Sequence, residues 1–539
     1  MLPLSAVLPQ DSVTFQVDMR VPMQTCRFEP SAGDMLFVRG TFNQWQGSEL
    51  HLQDIDGDSV FMCEYIFEGD SGTIVQFKYV IQKNNGMVIW EQKPDPENPE
   101  YGNRRMVLTG MPRKLPAVDF DLDRYLIDAE YKYTVLALRE DFLQLRDSIK
   151  TMHPALYAFT NRETFDDLFE SRLADLKRPM SGASFYRQLA PIVARIGCGH
   201  SALRLPDTWW SGQPDRFIPI RIVFADSIVY IKSFPGNTPG IPAGSEILAI
   251  NDRTMHEIVE SLYTVIPADG YNRGYQQAVL EDRFAYYYAL FYGFPEKFLI
   301  QCRIPDSERV EEIILDPVRE ADLALKAVWK PILDFEFRED PPVAILSINN
   351  FNYYAPEQEA AFKTYIDSIF TVIQQADIGN LILDVRDNNG GNPFCAAHIL
   401  SYIAEEPIPY FDRPYGKYTI LTDPIPLAEN RFDGNLYVLI NGRDFSTTGH
   451  FCALLKFHEI GILIGSETGG TYTCNDAKKT IFLKNTGLGL QIARGTFAVA
   501  VEGMDRGKGV IPDFTVEPDI VDLMNGRDTV LEYALALIR

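Results

Sequence analysis

The sequence predicts a multidomain chain: an N-terminal all-β sandwich, a helical lead-in, a second strand-rich insert and an α/β core of βαβ units. Three observations carry this. At 539 residues the chain exceeds what one hydrophobic core organises. Apolar residues alternate with period two in the first hundred residues or so, then change to helical spacing. In the last two hundred, short apolar runs alternate with amphipathic stretches, the pattern of right-handed crossovers on a largely parallel sheet.

Residues 1–112 form the first segment. Val13–Met19 and Val75–Ile81 alternate, Met35–Val38 is a short apolar strand, and Asp56-Gly57-Asp58 and Asn84-Asn85-Gly86 supply turns. A linker spans 113–134, opening with Pro112-Arg113-Lys114-Leu115-Pro116. In 135–212, Leu138, Phe142, Leu145, Ile149 and Met152 share a helical face that Pro154 stops. Two further helices lead into Gly197-Cys198-Gly199-His200-Ser201, a glycine-flanked turn. Residues 213–320 return to strands, around Gly244–Asn251. In 321–539, Val343–Ile348, Asn380–Val385, Leu436–Ile440 and Gly461–Gly465 read as strands. Gln358–Gln375, Pro393–Ala404 and Gly449–Phe457 read as the helices between and after them.

The composition is that of a globular protein, 46% hydrophobic and 23% charged, with a net charge of −24. That charge argues against a nucleic-acid partner, which needs a basic surface. No apolar run approaches the roughly 18 residues that span a bilayer. Met1-Leu2-Pro3-Leu4-Ser5-Ala6-Val7 shows no signal peptide, lacking a basic start and a long apolar stretch. The seven cysteines, at 26, 63, 198, 302, 395, 452 and 474, show neither paired nor metal-binding spacing. No metal or cofactor is implied.

Chemistry concentrates where strands hand over to helices. Leu436–Ile440 precedes Asn441-Gly442-Arg443-Asp444-Phe445-Ser446, and Phe451, Leu454 and Leu455 follow at helical spacing. Ser446 therefore meets the free N–H groups of a helix start, where an oxyanion would be stabilised. The same place suits an ordinary Ser N-cap. After the strand ending at Val385, Asn388-Asn389-Gly390-Gly391 lets backbone approach a ligand closely, or simply makes a tight turn. Of seven histidines, His51, His153, His256, His398 and His458 lie away from these turns. His450, four residues after Ser446, is a geometric rival, with its ring lying along the helix. His200, in its glycine-flanked turn, is the better general base.

Asp384-Val385-Arg386-Asp387-Asn388-Asn389-Gly390-Gly391 resembles the D-x-R-x-N-x-G-G signature of the tail-specific (C-terminal processing) and tricorn-like serine peptidases. Gly199-His200-Ser201, Gly244–Asn251, Ser446, Gly465–Gly470 and Gly509-Val510-Ile511-Pro512-Asp513 resemble further motifs of that family, in its order. The resemblance covers roughly residues 135–539. It implies a PDZ-like domain over 213–320 and a crotonase-like (ClpP-like) core over 321–539. It also implies acyl transfer through Ser446 with His200 as base, and an oxyanion hole of Thr447 with Gly390 or Gly391. An orienting acid, Glu502 or Asp505, would lie upstream of Gly509, with Glu502 favoured. A peptide or protein substrate follows, bound by analogy through its C-terminus, in a periplasmic or extracellular setting. The family lysine after the Gly-Gly turn is absent: Lys478 and Lys479 fall too late, which points to the histidine-dependent tricorn-like branch. Cys198 stands where the turn usually has Asp, and Gly449 where a Glu usually follows the serine. These departures leave open a catalytically inactive peptide- or glycan-binding protein that keeps the fold.

Thr41-Phe42-Asn43-Gln44-Trp45, Phe77-Lys78-Tyr79, Ile89-Trp90-Glu91 and Gly102-Asn103-Arg104 resemble patterns of the starch-binding carbohydrate-binding modules. That resemblance implies a sugar platform of Trp45 and Trp90 with Lys78 and Asn103 as polar partners. The other reading is a core role for the aromatic residues and a docking or structural role for the module. No carboxylate pair suited to glycoside hydrolysis stands out in the α/β core.

Overall fold

The computed structural model describes residues 11–24, 27–67, 72–91, 103–109, 111–115, 117–120, 132–205, 209, 213–235, 241–305, 307, 309–323 and 332–538. Met1–Val7, Cys26, Gly102 and Pro116, named above, lie outside them. The chain divides into two compact units, residues 1–131 with 206–213, and residues 132–205 with 214–539.

In the first unit, Asp11–Asp18 pairs antiparallel with Val60–Phe67 and parallel with Arg113–Lys114 and Val118–Asp119. A second sheet runs His51–Leu52, Met35–Gly40, Ile74–Gln82, Val88–Trp90, with Arg104–Val107 also on Ile74–Gln82. Val13, Phe15 and Val17 point inward from one sheet, and Leu36, Val38, Phe77, Tyr79 and Ile81 from the other. The period-two alternation thus lines one shared core. Tyr79 buries its ring there and donates its hydroxyl to Gln16 O at 2.7 Å, which removes the cost of a buried phenol.

The second unit opens with helices Val135–Met152, Arg162–Asp175 and Gly182–Ala194, N-capped by Thr134, Asn161 and Ser181. Strand Ala202–Arg204 follows and pairs antiparallel with Gly489–Ile492, far along the chain. The segment from 221 to 315 is an antiparallel sheet ordered Arg221–Ala225, Ile228–Ser233, Glu246–Ile250, Phe298–Arg303, Val310–Leu315. Helices Met255–Tyr263 and Arg273–Tyr292 accompany it.

The α/β sheet runs Leu333–Glu339, Pro342–Ile348, Asn380–Asp384, Asn435–Ile440, Ile462–Gly465, Phe514–Thr515. Its strands are parallel except for the first, an antiparallel edge the sequence reading did not anticipate. Ala344, Leu346, Ile348, Leu381, Leu383, Val438 and Ile440 face helices Pro356–Gln375, Pro393–Ile403 and Thr447–Phe457. The alternate residues Val343, Ile345, Ile382, Tyr437 and Leu439 face the terminal helix Thr529–Ile538. Burial on both faces explains the unbroken apolar runs of these strands.

Phe451 is fully buried where helix Thr447–Phe457 meets the sheet. Phe451→Ala is expected to destabilise this core by about 3–5 kcal/mol, read as an earlier denaturant midpoint in the full chain.

Candidate functional site

Strands Asn380–Asp384 and Asn435–Ile440 end side by side, so the two turns singled out in the sequence meet at the sheet's carboxyl edge, where α/β proteins bind ligands. Asp384 begins the first turn. Its carboxylate accepts from Arg386 Nε (2.9 Å) and Nη2 (2.7 Å), and Arg386 also donates to Asp528 just before the terminal helix (2.7 Å). Asn388 is fully buried: its Nδ2 donates to Ile348 O (2.9 Å), while its Oδ1 accepts from Gly390 N (2.9 Å) and Thr448 Oγ1 (2.7 Å). One side chain thus ties two strand ends to the start of helix Thr447–Phe457.

Gly390 and Gly391 have φ of 92° and 143°, outside the range side chains favour. A methyl on Gly390 would stand 2.6 Å from Phe445 O and 2.9 Å from Ser446 Cβ. The glycine there is a steric requirement of the serine turn.

Ser446 has φ 57° and ψ −121° and does not cap its helix with its side chain. This is a strained conformation for a non-glycine residue. The ordinary N-cap role is therefore not the one it plays. Its Oγ lies 3.2 Å from His200 Nε2, a pair brought together from 246 residues apart. The thiol of Cys474 is also in hydrogen-bonding contact with Ser446, and burial keeps it neutral by pushing its pKa well up. The N–H groups of Thr447 and Gly391 donate to no partner among the described residues, whereas that of Gly390 donates to Asn388 Oδ1. Of the two glycines expected to serve the oxyanion, Gly391 is thus the one with a free donor. Thr447 Oγ1 donates to Gly391 O at 2.6 Å and binds the two donors into one frame.

His200 is 7% exposed. Ser201 Oγ accepts from Ala493 N at 3.0 Å, and strand Ala202–Arg204 fixes the turn that follows. Its ring stacks on Phe445 at 4.7 Å, and Phe445 on Tyr275 at 4.4 Å. Burial lowers its pKa to about 4, a shift Lys478 reinforces and Asp476 opposes. At neutral pH the ring is a free base, as a proton acceptor requires.

His450 is buried, with its pKa pushed down to about 3, and only its backbone N–H reaches Ser446, at the carbonyl O, 3.0 Å away. Glu502 is exposed and makes no hydrogen bond with His200 among the described residues. Asp505 Oδ1 accepts from Gly507 N at 2.8 Å, a turn contact. Neither expected acid meets the imidazole, whose Nδ1 is buried without a partner. Gly449 explains one departure from the family pattern: a Cβ there would stand 2.6 Å from Gly470 C, so no side chain fits.

Phe445, Tyr275 and Asp269 were not anticipated. Phe445 adjoins Ser446 in sequence and could have been suspected; the other two lie in the insert, with no local signal. Arg443 bridges to Glu281 (2.8 Å) and Asp282 (2.6 Å), joining the serine turn to helix Arg273–Tyr292.

In the first unit, the rings of Trp45 and Trp90 lie 6.3 Å apart at 50°, both partly exposed. Arg39 stands over Trp90 at 5.7 Å. Lys78 Nζ donates to Glu91 O (3.0 Å), and Asn103 Nδ2 to Gln76 Oε1 (3.0 Å). The described residues hold one group of three potential metal ligands, the largely exposed Asp54, Asp56 and Asp58, far in sequence from Ser446.

The site thus brings a serine and a buried, uncharged histidine together at the sheet's carboxyl edge, beside two unpaired amides. Residues 342–516 match the model of peptidase family S41. A tail-specific protease of Haemophilus influenzae is 26% identical over 234 residues, 42% of this chain. The match spans 31% of that protein's length. Among solved structures, mature CPAF, and mature CPAF complexed with lactacystin, each superpose with a TM-score of 0.54 at 13% identity. They cover 75% of this chain and 96% and 98% of theirs, and show a shared fold.

Asn388→Ala would strand three polar partners, each costing about 1–3 kcal/mol when buried. A loss of about 3 kcal/mol or more is expected in denaturant unfolding, with the serine site disordered alongside.

Proposed function

We propose that this chain is a serine peptidase acting by acyl transfer. The observation that carries the reading is the 3.2 Å approach of His200 Nε2 to Ser446 Oγ, beside two unpaired N–H groups. Ser446 Oγ attacks the peptide carbonyl carbon as His200 Nε2 takes its proton. The Gly391 and Thr447 N–H groups receive the oxyanion. The tetrahedral intermediate then expels the amine, which leaves with that proton, and water repeats the sequence to release the acid. Losing one oxyanion donor typically costs about 2.7–4 kcal/mol of transition-state stabilisation.

Residues 213–320 serve this reading as a PDZ-like module that takes a substrate's C-terminus. Arg221–Ala225 is the edge strand of its sheet, and Glu281 on helix Arg273–Tyr292 accepts from Phe224 N at 3.0 Å. An edge strand beside a helix suits strand addition by an extended peptide. No helix among the described residues is long and apolar enough to cross a membrane; a periplasmic or extracellular setting rests on the family resemblance.

A fluorophosphonate probe is expected to label the wild-type chain at Ser446 and not to label Ser446→Ala. His200→Ala should slow labelling by about 10²–10⁴. A folded wild-type chain that neither reacts nor hydrolyses a peptide library would overturn the reading in favour of a binding protein.

The first unit is proposed to bind glycan on Trp45 and Trp90, whose neighbouring, partly exposed rings support that role. With maltoheptaose as probe, titration calorimetry should show binding weakened at least about tenfold by Trp45→Ala or Trp90→Ala, equivalent to about 1.4 kcal/mol. Unchanged binding in both variants, or none to wild type, would assign these rings a structural role.

A further inference from the structure

We propose that Asp269 is the positioning residue of His200, its free Oδ2 receiving the hydrogen of the imidazole Nδ1. The inference rests on the reading of Ser446 and His200 as nucleophile and base, and supplies the orienting acid that reading lacks.

Several buried side-chain atoms among the described residues of this unit are without partners; two of them, His200 Nδ1 and Asp269 Oδ2, belong to one turn and to the residue bonded to it. Asp269 is 4% exposed, and its Oδ1 accepts from Gly199 N, the residue before His200, at 2.8 Å. Gly270 N donates to Gly197 O at 3.1 Å, so the backbone around Asp269 is also laced to that turn. Buried polar atoms are normally paired, and one Nδ1–H···Oδ2 bond satisfies both. Cys198, in the same turn, stands where the resembled motif has an acid; its buried thiol is pushed up to about 12 and stays uncharged. Asp269 reaches the turn from the segment between helices Met255–Tyr263 and Arg273–Tyr292. Glu502 is exposed and Asp505 is engaged at Gly507.

The charges around the pair are Asp476, Lys478 and Arg506, with the neutral groups Cys198, Cys474, Tyr275 and His450 also facing it. Burial is the main cause raising the Asp269 carboxyl to about 7; Asp476 adds to it, and the Gly199 N–H and Arg506 oppose it. Proton counting then sets the pH dependence. With two protons on the pair, either Asp269 is protonated towards Nδ1 or the imidazolium faces the carboxylate. Both arrangements leave a hydrogen on Nε2, so neither can accept the serine proton. With one proton, Nδ1–H faces the carboxylate and Nε2 is free. Loss of the second proton is set by the Asp269 carboxyl, raised to about 7, so activity rises with pH through that region.

The test uses the full chain with Asp269→Asn, which keeps an acceptor for Gly199 N–H, and Asp269→Glu as the conservative variant. Fluorophosphonate labelling and peptide turnover would be followed from pH 5 to 9. Wild type should show the rise through about 7. Asp269→Asn should lose it and fall by about 10²–10⁴ in kcat at pH 7.5, with KM little changed; Asp269→Glu should recover part of the rate and the rise. A folded Asp269→Asn variant with wild-type rate and pH profile would overturn the proposal. So would the same loss in Asp476→Asn or His450→Phe but not in Asp269→Asn.

A second readout needs no activity. In protein labelled with ¹⁵N at histidine, His200 (assigned with His200→Gln) should be the Nδ1–H tautomer above pH 7 in wild type and shift towards Nε2–H in Asp269→Asn. An unchanged tautomer overturns the role of Asp269 even if Ser446 is active. Absent labelling of wild type with a tautomer shift overturns only the peptidase reading.

Discussion

Backbone packed on backbone at the serine turn is the constraint on which the site depends. Gly449 lies against Gly470, and Gly390 against Phe445 O and Ser446, at separations no side chain could share. This contact holds Ser446 in a positive-φ conformation that an isolated turn would abandon. It also leaves the amides of Thr447 and Gly391 unspent. The Asn388 side chain secures the arrangement by joining Ile348, Gly390 and Thr448. A motif of Asp, Arg, Asn and two glycines thus has a mechanical reading: the charged residues clamp the strand end to Asp528, Asn388 braces the turn, and the glycines allow the approach.

His200 comes from a different part of the chain and is held by different forces. Pairing of Ala202–Arg204 with Gly489–Ile492 fixes the turn, and the stack of His200, Phe445 and Tyr275 sets the plane of the ring. Tyr275 belongs to a helix of the insert, and Arg443 ties that helix to the serine turn through Glu281 and Asp282. The insert therefore shapes the site at two points. Burial serves the chemistry too, since desolvation keeps both His200 and His450 uncharged near neutral pH.

The parallel strands and their helices were readable because burial on two faces writes continuous apolar runs, and helices write a 3.6-residue period. The strand-to-helix handover at Ser446 and the glycine pair after Asp384 were readable because turn chemistry is local. Helix Thr447–Phe457 begins two residues before the predicted start, directly after the strained serine, because backbone packing rather than an N-cap side chain begins it. The antiparallel strand Leu333–Glu339 and the terminal helix that closes the second face of the sheet were not read, since nothing near them in the chain announces their partners.

Local pattern alone settles the order of strands and helices, the serine at a helix start and the histidine in a glycine-flanked turn, because period and turn residues act over a few positions. Which glycine amide stays free, which acid is bonded to the histidine turn, and which rings stack on the imidazole depend on segments far apart in the chain. Gly390 loses its amide to Asn388, Glu502 remains in solvent, and Asp269 lies buried beneath Gly199. Those outcomes follow from long-range packing and desolvation, which only the folded chain brings into being.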